Sequence, residues 1–134
     1  MLLLDAGVWV ASVAPEEPLH REARALLRLP ECDLAALDLT LYEVVNVIAG
    51  KRGQPREAEQ LGRLILRRCE RSLETVDVEL VERTVDIADR YGLTAYDAAY
   101  VAAARRNGWT LVSGDIADLV SRGLAVAPDA ALYP

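Results

Sequence analysis

A chain of 134 residues, 52% hydrophobic and 27% charged, is long enough for one sizeable core and is neither disordered nor fibrous in composition. The net charge of −6 argues against the broad basic surface with which proteins coat DNA, but not against a local site where a cation supplies the positive charge. No apolar run approaches the roughly 20 residues of a membrane span, and Asp5 cuts the run Leu2–Leu4 before a signal-peptide core can form, so the expected location is cytoplasmic.

In chain order, Leu2–Leu4 reads as a short buried strand closed by Asp5. Val8, Trp9 and Val10 follow as an apolar cluster suited to core packing or to a partner. Residues 18–29 form a helix with Leu19, Ala23, Leu26 and Leu27 on one stripe, and residues 33–37 a second strand. Residues 40–50 make a helix with Leu41, Val44, Val45 and Ile48 inward. Gly50 and Gly53 end it, and Pro55 opens the next helix, which runs to about Arg71. These two form a helical hairpin, a candidate interaction surface. Residues 73–78 are a third strand and 79–91 a helix ending at Gly92. Residues 94–106 are a helix stopped by Asn107-Gly108, residues 110–112 a fourth strand, 116–122 a short helix and 124–127 a last strand. Strands alternating with helices imply a parallel sheet covered on both faces, here within a single domain spanning 1–134.

Cys32 and Cys69 belong to no ligand-spaced cluster and read as small buried hydrophobes. His20 is the only histidine, stands on a helix surface expected to be solvated, and leaves little room for histidine-dependent chemistry. Of the cations, 14 are Arg and one is Lys51. Arg56, Arg63, Arg67 and Arg71 share one stripe of the second hairpin helix, with Lys51 and Arg52 in the turn. The stripe suits either RNA or a solvated face paired with Glu59 and Glu70. The opposite stripe, Ala58, Leu61, Ile65 and Cys69, suits core or a subunit interface.

Four acids sit where elements begin or end: Asp5, Glu43, Asp97 and Asp115. In a parallel sheet the carboxyl ends of the strands face one crevice, and carboxylates delivered there repel one another unless a hard cation such as Mg²⁺ or Mn²⁺ lies among them. The competing reading is local. Thr40-x-x-Glu43 and Thr94-x-x-Asp97 both fit a capping box worth about 1 kcal/mol, and Asp115 fits an N-cap. Against it, Glu43 and Asp97 lie in almost wholly apolar surroundings, where a carboxylate needs more than a cap.

The segments Leu-Leu-Leu-Asp5, Tyr42-Glu43-Val44-Val45-Asn46, Thr94-Ala95-Tyr96-Asp97-Ala98-Ala99-Tyr100-Val101-Ala102 and Leu111-Val112-Ser113-Gly114-Asp115 resemble the PIN-domain ribonucleases, and within them the small VapC-type toxins of toxin–antitoxin pairs. The resemblance spans essentially the whole chain. It implies a three-layer α/β/α fold with a five-stranded parallel sheet in the order 3-2-1-4-5 and a metal-dependent endoribonuclease. Asp5, Glu43, Asp97 and Asp115 fall on the family's acidic positions and would hold Mg²⁺ or Mn²⁺, with Asn46 and Ser113 in support. RNA, a cognate antitoxin and a second copy of the chain are the partners it implies. One departure stands out: Gly7 occupies the place of a family Ser or Thr. Asp118 is a further acid, read as a solvated helix position.

Rival chemistries fare worse. A haloacid-dehalogenase-type phosphotransferase needs a second Asp where Gly7 stands, and a receiver domain needs a Lys after its last strand, whereas Lys51 lies in the hairpin. Two alternatives remain: a binding or dimerisation module that has lost activity, and a housekeeping RNA-processing nuclease. Retention of all four acids speaks against the first.

Overall fold

The structure, a computed structural model, describes residues 1–30 and 33–134. The expected burial of Cys32 lies outside the described residues; Cys69 is fully buried. Strand β1 (Leu2–Leu4) is followed at once by α1 (Ala6–Val13), then α2 (His20–Leu26), β2 (Leu34–Leu37) and α3 (Asp38–Val45). A π-helical turn over Asn46–Lys51 continues α3 into the hairpin with α4 (Pro55–Arg68). Then come β3 (Leu73–Glu74), α5 (Val78–Tyr91), α6 (Ala95–Asn107), β4 (Thr110–Val112), a π-helical turn at Ile116–Val120, and α7 (Pro128–Leu132).

Among the described residues the sheet is parallel with the order β3-β2-β1-β4. The strands are nearly all apolar because both faces are covered. Leu4, Ala36 and Val112 point into a core shared with α1, α2 and α4, while Leu3, Ala35 and Leu111 point into a second core shared with α5 and α6. The three-layer architecture follows from that alternation. The expected fifth strand is reduced to a single parallel bridge between Val112 and Val126, in the anticipated place beyond β4. Gly123 at φ 70° turns the chain just before it, and Pro128 opens α7 two residues after the bridge, so the segment has no length to pair further.

Other differences have local causes. Helix α1 shows no amphipathic period because six of its residues are buried on both sides, Trp9 fully. The Val8-Trp9-Val10 cluster is therefore core. Helix α3 begins at Asp38, two residues earlier than expected, where the Asp38 carboxylate accepts from Leu39 N at 2.8 Å and from Val76 N at 3.1 Å. Strand β3 stops at Glu74 because Asp77 caps α5 through Leu80 N at 2.8 Å. Ala58, Leu61, Ile65 and Cys69 pack into the protein's own core beside Trp9 and Val44, so this stripe is not a subunit interface. His20, expected in solvent, is half-buried, and its Nδ1–H donates to Ala11 O at 2.7 Å.

Candidate active site

The four acids reach one cavity by four separate routes. Leu4 and Val112 are register partners, so the segments leaving β1 and β4 emerge side by side. Asp5 N donates to Val112 O at 3.1 Å, and Asp115 follows two residues after Ser113 N has bonded Val126 O at 3.0 Å. Glu43 comes from the second turn of α3 and Asp97 from the first turn of α6. All four line a cavity of about 630 Å³ whose remaining wall includes Gly7, Glu17, Leu19, Tyr100 and Ile116. Among the described residues no Arg or Lys is on that wall.

The local readings of these acids turn out to be partly true. Asp5 Oδ1 accepts from Val8 N at 3.0 Å and caps α1. Asp115 Oδ1 accepts from Asp118 N at 2.9 Å. Thr94 caps α6, its hydroxyl accepting from Asp97 N at 3.2 Å. Glu43 is the exception. With α3 starting at Asp38, Thr40 is inside the helix and no capping box exists there. Instead Tyr100 Oη donates to Glu43 Oε1 at 2.8 Å, and Thr40 Oγ1 lies 2.8 Å from the same phenol.

Burial pushes the carboxyl of Asp5 above its ordinary 3.8, and the charges of Asp97 and Asp115 push it further, against hydrogen bonds from Ser113 and Val8. Burial raises Glu43 above 4.5, opposed by the Tyr100 hydrogen bond and reinforced by Asp5 and Asp97. Asp97 is raised by burial, then by Asp115 and Asp118. Among the described residues none of the four forms an ion pair. Nor is any set of three His, Cys, Asp or Glu side chains among them already gathered as a metal-ligand cluster. The carboxylates stand around the cavity as hard oxygen donors, and this donor set suits a hard divalent cation.

These shifts have a consequence for stability. A carboxyl whose folded pKa is raised binds protons more tightly in the native state, so stability falls as pH rises from the unfolded value through the folded one. Asp5→Asn, which keeps a capping side chain, should therefore stabilise the chelator-treated protein more at pH 7 than at pH 4, where the penalty is largely gone. Equal gains in melting temperature at the two pH values would show that Asp5 titrates normally.

Ser113 is fully buried and its Oγ accepts from Asp115 N at 3.0 Å, so it touches both Asp5 and Asp115. Asn46 is exposed and does not line the cavity, and the partner of Glu43 is Tyr100 instead. Asp118 is exposed and also off the wall. Gly7 is on the wall, and a Cβ there would sit 3.4 Å from Asp5 Oδ1, an ordinary contact. Gly114 is more constrained, because a Cβ would come within 2.6 Å of Leu19 Cδ1. Arg52 is committed to Glu16 and Glu17 of the segment between α1 and α2, and Arg63 to Glu59; Arg56, Arg67 and Arg71 are exposed. Sequence reasoning missed Glu17, Thr40 and Tyr100. Tyr100 stood in the Thr94-to-Ala102 segment that carries the family resemblance, whereas Glu17 gave no signal.

Fold and site together define a parallel α/β domain with an acidic pocket at the carboxyl ends of its strands. The PIN domain family matches residues 2–118. Ribonuclease VapC3 of Pyrobaculum aerophilum is 35% identical over 120 residues, 85% of this chain and 88% of that protein. Among solved structures, VapC20 of Mycobacterium tuberculosis, described as a sarcin–ricin-loop-cleaving toxin, superposes with a TM-score of 0.77 at 18% identity, covering 92% of this chain and 95% of that one. A toxin–antitoxin complex from Klebsiella pneumoniae gives 0.72 at 23% identity, with 96% and 98% covered. The chain belongs to the PIN-domain family.

Proposed function

We propose that this protein is a metal-dependent endoribonuclease and the toxin of a toxin–antitoxin pair. The observation that carries the reading is the set of four carboxylates, without cationic partners among the described residues, on the wall of one cavity. Kinship with a ribonuclease 35% identical to the chain supports it. Asp5, Asp97 and Asp115, with Glu43, would hold Mg²⁺ or Mn²⁺, which when bound lowers the pKa of water and neutralises charge on the scissile phosphate. Glu43 takes the proton from the attacking water; its burial raises its basicity toward the working pH. The water oxygen forms the new bond to phosphorus as the bond to the leaving ribose oxygen breaks. Ser113 fixes the loop that presents Asp115 and donates to Asp5. The purified protein should cleave a pool of structured RNAs with Mg²⁺ or Mn²⁺ and not with EDTA; cleavage undiminished by EDTA would overturn the reading.

An antitoxin has a cleft to occupy. Val13, Ala14, Pro15, Ile48, Leu61 and Leu64 line about 460 Å³ between the hairpin and the segment that leads into the acidic pocket, with Glu57 and the paired Arg52 and Glu16 also on its wall. The apolar face of an amphipathic helix complements this wall, and an Arg at its end would reach toward the carboxylates. The homodimer has a different face from the hairpin stripe. Tyr42, Val76, Val81 and Val85 are all at least half exposed around an apolar groove between α3 and α5, a patch of the kind that pairs with its own copy. Val85→Arg should convert a sedimenting dimer to a monomer, and a wild type that sediments as a monomer would remove this interface.

A further inference from the structure

The hydrogen bonds joining α3 to α6 include two side chains to which the acidic reading gives no role. Tyr100 Oη is 2.8 Å from Glu43 Oε1 and 2.8 Å from Thr40 Oγ1. An ionised carboxylate can only accept, so the single phenolic proton is committed to Glu43, and the phenol oxygen accepts in turn from the Thr40 hydroxyl. The direction of the chain is thereby fixed: Thr40 to Tyr100 to Glu43. Thr40 is 0% and Tyr100 2% exposed, and both hydroxyls find their partners within the protein. Burying hydroxyls gains little over Phe and Val of the same shape unless their hydrogen bonds have a use.

The spacing supplies that use. Thr40 and Glu43 are three residues apart on α3, as are Asp97 and Tyr100 on α6, so each pair shares a helix face. One relay therefore ties the turn presenting Glu43 to the turn presenting Asp97. It occupies Oε1 and leaves Oε2 of Glu43 without a hydrogen bond among the described residues. Resting on the nuclease reading above, we infer that Tyr100, backed by Thr40, is a positioning residue of the acidic site, holding the Glu43 carboxylate at the cavity in register with Asp97.

Tyr100→Phe keeps the ring and removes the proton. In the full-length protein it should lower kcat about ten- to hundredfold, leave KM for RNA unchanged, and weaken Mn²⁺ binding about tenfold by calorimetry. Because the effect passes through the charge of Glu43, Tyr100→Phe should change neither kcat nor Mn²⁺ affinity further in a Glu43→Gln background. Thr40→Val should give a smaller loss of the same kind, and Thr40→Ser should restore it. Should Tyr100→Phe fold poorly, the Thr40 pair carries the same cycle. Wild-type values in Tyr100→Phe, or an equal fractional loss with and without Glu43→Gln, would overturn the inference while leaving the nuclease standing. A wild type that neither cleaves RNA nor binds Mn²⁺ removes the nuclease reading, and the relay's role with it.

Discussion

Asp97→Asn is expected to cut RNA cleavage by roughly a thousandfold or more while the fold survives. Asp97 sits in the first turn of α6, half-buried, where Thr94 rather than Asp97 provides the cap. The substitution therefore removes a charge facing Asp115 and Asp118 without removing a structural bond of comparable weight. Circular dichroism and the melting temperature should be unchanged or slightly improved, since the charges of Asp115 and Asp118 disfavour the ionised Asp97 carboxylate. Retention of activity within about threefold, or a loss matched by unfolding, would place Asp97 among ordinary helix residues.

Mn²⁺ should stabilise the protein by a similarly large margin. At about one hundred times its dissociation constant, an ion that binds only the folded state contributes ~2.7 kcal/mol, or about 10 °C in melting temperature for a chain of this size. Neutralising Asp5 should abolish most of that gain. A melting temperature that Mn²⁺ and EDTA leave equal would mean that the carboxylates bind no ion in the folded state.

The sequence disclosed what repeats along the chain and concealed what depends on distance. Opposite polar and apolar stripes located α4, the stop signals Gly92 and Asn107-Gly108 bounded α5 and α6, and short apolar runs marked the strands. Helix α1 was illegible for the opposite reason: packed on several sides, it shows no polar face to mark its period. The boundaries that slipped, at Asp38 and Asp77, were decided by carboxylates accepting backbone N–H groups, one of them 38 residues away at Val76. In the site, Asp5 and Asp115 are legible as neighbours because each closes an apolar run, and the two runs pair as adjacent strands of a parallel sheet. Nothing local could show that Glu43 would find Tyr100, 57 positions distant, rather than a cap three residues before it.

The two outer elements of the sheet are very short: β3 has two residues, and beyond β4 the described residues give only the Val112–Val126 bridge. An unprotected sheet edge is a template on which a foreign strand can grow, the first step toward fibrils. Here an intruding strand would find almost no consecutive ladder positions on either side. A molecule built this way can be crowded against copies of itself and against partner chains with little danger of fusing into a common sheet. Its associations are thus left to helical faces, whose side chains can distinguish one partner from another.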